Sequence, residues 1–506
     1  MCEEFDAVVI GGAFSGAATA TLLRRERPSL RVAIVERASA FDRKVGEATT
    51  EVSGSFLTKR LSLASHLNNH HLAKQGLRFW FNTEDNTEFG RCGELGGYFQ
   101  SRMPAYQVDR QVLDEHMLSV AREEGAVLFR PAKILRVEPG KSVTVDSGGS
   151  ERTIRTRWTV DASGRAALLA RQFGSLQPLK EHPTNAIWAR FQNVGDLDGH
   201  SLRSRHLAYA RACQSSRTAA TNHLTGYCWW CWIIPLKGGF TSVGLVYDQR
   251  FFTPPAAVRL VDRLHNHLLA HPVGRELFAS ASAVEGDVKT YSSLPYYSRQ
   301  IAGPGWQIVG DAAGFLDPLY SAGLDYCSWT VNSAVNRILA EHDGRPVDFD
   351  DINARFAKSY RCWFEALYRN KYTYLGDAEL MHAAFLMDLG LWFYGPVRNL
   401  CTCPKGGFER FPFDGPGDGL VGRFMALYNR RLSKIAEKRR AAGCYGASNL
   451  DHRTLVQGLD PTPKVLALVR QGIVRWLKAE LRSAFLHPEK KPLHKPHPIA
   501  PVRAAG

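Results

Sequence analysis

The sequence lacks the marks of several protein classes. It has ten cysteines among 506 residues, scattered from Cys2 to Cys444, too few and too irregular for a disulfide scaffold. Cys228-Trp-Trp-Cys231 falls in an apolar stretch read as a strand, and Cys401-Thr-Cys403 lacks the spacing of a zinc knuckle, so no metal site is expected. No hydrophobic run suits a bilayer span of about 20 residues. The most apolar stretch, Leu380 to Val397, carries His382 and Asp388 and ends at Gly395-Pro396, so a buried or lid helix is expected there, without membrane insertion. No internal repeat is visible. A strand predicted from Phe5 leaves no room for a secretory leader, and the expected location is the cytoplasm. Acidic residues are outnumbered, 49 against 64 basic ones, for a net charge of +15. A solvated basic surface accounts for that excess, and no nucleic-acid partner is expected.

What is present is the mixture of an ordinary globular chain, 44% apolar and 22% charged, long enough for two to four packing units at roughly 150 residues each. The start reads strand, turn, helix, strand. Phe5 to Ile10 is apolar and β-branched, Gly11 to Gly16 is a tight turn, Ala17 to Arg25 is helical, and Leu30 to Val35 is a second strand ending at Glu36. Strand character returns at Trp158 to Val160, in the aromatic run Gly226 to Pro235 with its partner Phe240 to Tyr247, and at Trp306 to Val309. Helices are expected through Leu324 to His342, Ala354 to Tyr374 and Pro463 to Phe485.

The turn Gly11-Gly-Ala13-Phe14-Ser15-Gly16 suits a pyrophosphate, whose charge is met by N–H groups at a helix N-terminus free of obstructing side chains. Ala13 replaces the middle glycine of the G-x-G-x-x-G pattern. Glu36, 20 residues beyond Gly16, is placed to accept from ribose hydroxyls and disfavours a 2′-phosphate. Farther on, Asp311 in Gly310-Asp-Ala-Ala-Gly314 follows a strand, where it can accept from a ribityl hydroxyl. FAD has such a chain and NAD does not. Arg110 is a candidate partner for the cofactor's phosphate or ring edge. No second dinucleotide turn is found, so reduced flavin is expected to arrive from a separate reductase.

Three motifs resemble the flavin-dependent halogenases, over about residues 5 to 340. Trp230-Cys-Trp232-Ile-Ile-Pro235 matches W-x-W-x-I-P. Phe315-Leu-Asp-Pro318-Leu-Tyr-Ser321-Ala322-Gly323 matches F-x-x-P-x-x-S-x-G. Val45-Gly46-Glu47-Ala48-Thr49 resembles the loop that covers the flavin, with Glu51 standing where the family usually has proline. Lys74 occupies the place of the family's essential lysine.

The resemblance implies a Rossmann-type FAD-binding domain (1–60, 100–175 and 285–342) and an inserted antiparallel sheet for the substrate (61–99 and 176–284). A helical C-terminal region (343–486) and a Pro- and Lys-rich disordered tail (487–506) complete the chain. It also implies FADH2, O2 and chloride or bromide as reactants. Lys74 would capture hypohalous acid, Ser321, Ala322 and Gly323 would bind halide, and Trp230, Trp232 and Pro235 would separate flavin from substrate. Phe79 and Trp80 are expected to bury Lys74, and a depressed pKa follows from such burial. His70 and His71 are read as structural. The implied substrate is a small electron-rich aromatic, phenolic because no tryptophan-enzyme motif is matched in the C-terminal region, and either free or tethered to a carrier protein. An aromatic hydroxylase is the rival reading, and a non-catalytic flavoprotein with a basic partner surface (Arg430, Arg431, Lys434, Lys438, Arg439 and Arg440) is a third.

Overall fold

The computed structural model describes residues 3–403, 407–457 and 459–487. The expected disordered tail therefore lies, from residue 488 onward, outside the described residues. The chain begins with β1 (Glu3–Ile10), α1 (Phe14–Glu26) and β2 (Val32–Val35), followed after a long loop by the short α2 (Glu51–Ser55). Strands β3 (Leu77–Phe81) and β4 (Gly93–Gly97) come next, then α3 (Arg110–Glu123), β5 (Val127–Phe129) and β6 (Ser150–Asp161). Four strands follow, β7 (Thr184–Gln192), β8 (Thr221–Gly226), β9 (Trp229–Pro235) and β10 (Thr241–Asp248). Later in the chain come β11 (Trp306–Ile308) and the helices α4 (Gly323–His342), α5 (Phe349–Trp363), α6 (Ala378–Trp392) and α7 (Asp418–Ala441). A last strand, β12 (Arg453–Val456), precedes α8 (Leu466–Ala484).

One sheet has a parallel core in the order β11, β6, β1, β2, β5. Ala7 to Ile10 and Val32 to Val35 are buried throughout, as central parallel strands covered on both faces must be. The second sheet runs β7, β10, β9, β8, β3, β4, β12. It is antiparallel except where β8 meets β3 and β4 meets β12. The C-terminal region is thus not purely helical: β12 adds an edge strand to the middle sheet. The chain is α/β with a Rossmann-type sheet, an inserted mainly antiparallel sheet and helices toward the C-terminus.

Local details differ from the expectations. The aromatic run Gly226 to Pro235 becomes strand only from Trp229, as β9, because Gly226 ends β8 and the chain turns at Tyr227 and Cys228, the latter at a φ of 62°. Cys228 therefore sits in the turn rather than within a strand, and both Cys228 and Cys231 are buried free thiols. The helix expected through Tyr374 changes to a wider π turn at Phe364–Tyr368 and resumes at Lys371–Tyr374. α6 is buried almost all round and packs along α8, so its apolar sequence reflects burial within the protein. Among the described residues no helix is long and apolar enough to cross a membrane.

Candidate active site

The dinucleotide turn sits at the carboxyl ends of the parallel strands. Gly11 has a φ of 100°, and a Cβ there would lie 2.5 Å from the Ala162 carbonyl oxygen, so glycine is required by both conformation and space. α1 starts after Ala13 without a side-chain cap, leaving its first-turn N–H groups for an anion. The Glu36 carboxylate accepts from the N–H groups of Gly12 and Ala38, each at 2.8 Å, which fixes it beside the turn. The Phe14 ring is buried beside Phe56, with the Arg110 guanidinium 5.7 Å over it.

Gly310 closes the opposite side. Its φ is 61°, and a Cβ would come within 2.2 Å of Ser15 Oγ, so the Gly310-Asp311 turn packs directly on the start of α1. Arg110, Arg165 and Lys44 face the Asp311 carboxyl, whose pKa is raised because burial outweighs their pull. Arg110 is held by Asp114 at 3.1 Å and reaches the carbonyls of Val45 and Gly46 at 3.3 and 3.5 Å. Glu47 takes an ion pair from Arg190 at 2.6 Å, and Ala48 bridges to Gln107. The loop is thereby tied to α3 through Arg110 and to the second sheet through Arg190 on β7. Glycines without room for a Cβ, an uncapped helix start and a carboxylate at each side fit FAD.

A second site lies on the other side of the 45–50 loop, around a cavity of about 680 Å³, within the usual range of ligand pockets. Its walls are mostly apolar, with the aromatics Trp363, Phe385 and Trp392 among them, and they also carry Arg102 and Arg410. Lys74 lines it while remaining only 4% exposed. Its ammonium donates to the Thr49 carbonyl at 2.8 Å and to Ser321 Oγ at 3.2 Å. Burial pulls its pKa down to about 8, against the upward pull of Glu51 and Asp325. The structure thus brings together three separate segments: the 45–50 loop, Lys74 and the 315–323 turn.

That turn is unusual in its backbone. Tyr320 and Ser321 both have positive φ, 69° and 62°, a conformation costing about 1–3 kcal/mol per non-glycine residue unless its surroundings enforce it. Here they do. The Tyr320 hydroxyl donates to Asp388 at 2.9 Å, and Asp388 also accepts from Lys371 at 2.7 Å and from Tyr428. Asp317 accepts from Tyr372 at 2.9 Å and pairs with His182 at 3.0 Å. Beyond Ser321, Ala322 lines the cavity, and Gly323 begins a 20-residue helix with no side-chain cap, a setting suited to a small anion.

Trp230 and Trp232 lie on one face of β9, their rings 6.1 Å apart, and neither lines the cavity. Trp230 donates to the Tyr372 hydroxyl at 2.8 Å, and so connects through Asp317 to the 315–323 turn. Trp232 donates to Ser242 at 3.2 Å. Pro235 ends the strand, and Pro318 opens the short turn before Ser321. Of the expected companions of Lys74, Phe79 packs near Tyr320 and Phe385. Trp80 does not, because successive strand residues face opposite ways; it packs with Phe89 and Tyr209 and donates to Asn222. His71 accepts from the Asp109 N–H at 3.2 Å, and His70 and His71 pack with His66 rather than lining the cavity. Sequence reasoning missed Asp317, Asp388, Lys371 and Tyr372. An intramolecular ion pair between Lys371 and Asp388 carries no local pattern, although an aspartate in so apolar a helix is itself a signal.

A dinucleotide turn, an aspartate at the far strand end and a separate lysine chamber define a flavoprotein that keeps its cofactor site and its lysine site apart. The tryptophan halogenase family profile matches residues 93–368, and the chain belongs to that family. It is similar to a tryptophan 2-halogenase of Chondromyces crocatus, 28% identical over 330 residues, covering 63% of this chain and 58% of that protein. It is also similar to the flavin-dependent halogenase chlA of Dictyostelium discoideum, 24% identical over 434 residues, covering 77% of this chain and 70% of that one. In fold it resembles the crystal structure of the halogenase PltM, with a TM-score of 0.70 at 19% identity, covering 94% of this chain and 99% of that one. A further structure of PltM holds phloroglucinol and FAD.

Proposed function

We propose that this protein is a flavin-dependent halogenase that chlorinates or brominates an electron-rich phenolic ring, with Lys74 delivering the halogen. The reading rests on the placement of the Lys74 amine, enclosed in an aromatic cavity and bonded to Thr49 and Ser321. The relatives' names support halogenation, and PltM's phloroglucinol complex supports a phenol.

The residues divide the work. With FAD bound, the N–H groups of Ala13 to Gly16 would hold the pyrophosphate, Glu36 the ribose and Asp311 the ribityl chain, while Arg110 and the loop Gly46 to Ala48 would meet the ring. The reduced cofactor, supplied by a separate flavin reductase, provides with O2 and halide the oxidant, hypohalous acid. N–H groups of Ala322 and Gly323 at the start of α4 bind the halide, and Pro318 shapes the turn between the two sites. Trp230 and Trp232 contribute bulk that keeps the ring from the cofactor. Lys74 receives hypohalous acid, either as hydrogen-bond donor or as a neutral amine that takes chlorine from oxygen, exchanging an N–H for an N–Cl bond as water leaves. A lysine whose pKa is near 8 suits both, since neutral and charged forms coexist near neutral pH. The aromatic walls hold the ring beside it and exclude water.

The test is product mass. With reduced FAD, O2, chloride and a phenol, the expected product carries chlorine in place of ring hydrogen. Addition of oxygen without chlorine would make the protein a hydroxylase.

A further inference from the structure

The chamber contains a carboxylate that none of the roles above uses. Glu51 is the first residue of α2, directly after the Thr49-Thr50 segment, and it lines the cavity with Lys74 and Asp325. The three are locked together from two directions. Thr49 accepts from Lys74, while Thr50 donates to Asp325 at 2.8 Å. On the opposite side Ser321 accepts from Lys74, and Asp325 follows four residues later on α4.

The carboxylates are incompletely satisfied. Among the described residues Glu51 receives one hydrogen bond, from the Trp392 indole N–H to Oε2 at 2.9 Å, leaving Oε1 without a donor. Asp325 accepts from Thr50 and from the Ser53 N–H with Oδ1, whereas its Oδ2 is buried with no partner. Asp388, the other carboxylate deep in the wall, is matched by Lys371. The end of the chamber beside Lys74 therefore presents two carboxylate oxygens without a donor, Glu51 Oε1 and Asp325 Oδ2, and unmet acceptors in so enclosed a place are costly. Glu51 is the less buried of the two, and its indole bond orients it across the cavity wall.

We propose that Glu51 is the substrate-recognition carboxylate of this chamber, its free oxygen accepting the hydrogen bond of a phenolic hydroxyl. The inference rests on the halogenase reading and names the feature of the substrate that the site selects. Because a hydroxyl directs electrophilic substitution to its ortho and para positions, anchoring it at Glu51 fixes which of those carbons meets Lys74. Glu51 is thus a specificity-determining residue rather than the source of the oxidant.

The backbone provides a clean test. Glu51 is the first helical position, where proline is tolerated because the N–H has no partner within the helix. Thr50 before it is extended, at φ −103° and ψ −173°, as a residue preceding proline must be. Glu51→Pro therefore removes the carboxylate while retaining α2, and Glu51→Gln keeps the side chain's shape without its charge. The probes are resorcinol, 3-methoxyphenol and 1,3-dimethoxybenzene, which have two, one and no hydroxyl donors. Wild-type enzyme should favour the donors in kcat/KM, and calorimetry without flavin should show the same preference in binding. A hydrogen bond to a charged acceptor supports a preference of about 10- to 100-fold. Glu51→Pro should reduce the preference to within about threefold in both measurements and change the ortho-to-para product ratio, with flavin still bound. If Glu51→Pro loses flavin, Glu51→Gln carries the test, with a preference reduced at least about fivefold expected. An unchanged preference and product ratio in a flavin-retaining variant overturns the inference while leaving the halogenase reading intact. If wild-type enzyme halogenates none of the phenols, the phenolic reading fails and this inference with it.

Discussion

Burial of Lys74 should be visible in the pH dependence of halogenation. An ordinary lysine ionises at 10.5, and burial, partly offset by Glu51 and Asp325, brings this one to about 8; at about 1.36 kcal/mol per tenfold change, the net penalty on the ammonium is about 3 kcal/mol. At pH 7.5 about a quarter of Lys74 would be neutral, against roughly one part in a thousand for an exposed lysine, a gain of about 200-fold in free amine. If the neutral amine accepts the halogen, the rate with pre-reduced FAD should rise with pH and level off above about 8. Asp325→Asn removes a group that pulls the value up, so it should move that rise to lower pH. Stability gives an independent reading. The folded state binds Lys74's proton less tightly than the unfolded state, so the penalty is fully present below pH 8 and fades as pH rises from about 8 to 10.5. Lys74→Met should therefore unfold no more easily than wild type at pH 7, with its relative advantage shrinking across that window in thermal melts. A rate that keeps rising toward pH 10.5, or a stability difference independent of pH between 7 and 10, would refute the desolvation argument.

Three further outcomes follow from the same geometry. Asp388→Ala leaves the fully buried Lys371 ammonium without its partner, and a loss of about 3–5 kcal/mol in denaturant titration is expected, with halogenation falling as the Tyr320 turn loosens. Gly310→Ala places a methyl group 2.2 Å from Ser15 Oγ at a positive φ, so flavin affinity measured by fluorescence quenching should fall at least about tenfold. Trp230→Phe leaves the Tyr372 hydroxyl without its indole donor and should cost about 1–3 kcal/mol. If Trp230 and Trp232 also form the barrier, each Trp→Phe variant should release more hydrogen peroxide per halogenated product; unchanged coupling in both would restrict them to packing.

Much of the architecture is legible in the sequence because it rests on local patterns. The continuous apolar runs at Phe5 to Ile10 and Val32 to Val35 mark parallel strands covered on both sides, and Gly11 and Gly16 mark a turn that admits no side chains. The turn at the head of the aromatic run, between β8 and β9, is hidden, because Tyr227 and Cys228 are not turn-forming residues and Cys228 adopts its positive φ under tertiary constraint. The edge strand β12 is hidden for a similar reason: Arg453 to Val456 becomes a strand by pairing with Gly93 to Gly97, more than 350 positions earlier. In the site, Lys74 and Ser321 are identified separately by motif, but their contact is a property of the fold. Asp388, Lys371 and Tyr428 are legible only in three dimensions, since each looks like an isolated polar residue in a helix until their side chains meet.

The most direct measurement compares wild type with Lys74→Ala, each loaded with FAD and given a flavin reductase, NADH, O2, chloride and a phenol. Wild type is predicted to form the chlorinated phenol. The variant should keep its flavin and consume O2, releasing hydrogen peroxide or hypohalous acid, with chlorinated product reduced by at least about 100-fold, as expected for loss of a group that positions or activates the reactant. Chlorination by Lys74→Ala at close to the wild-type rate, with the same position on the ring, would contradict the account.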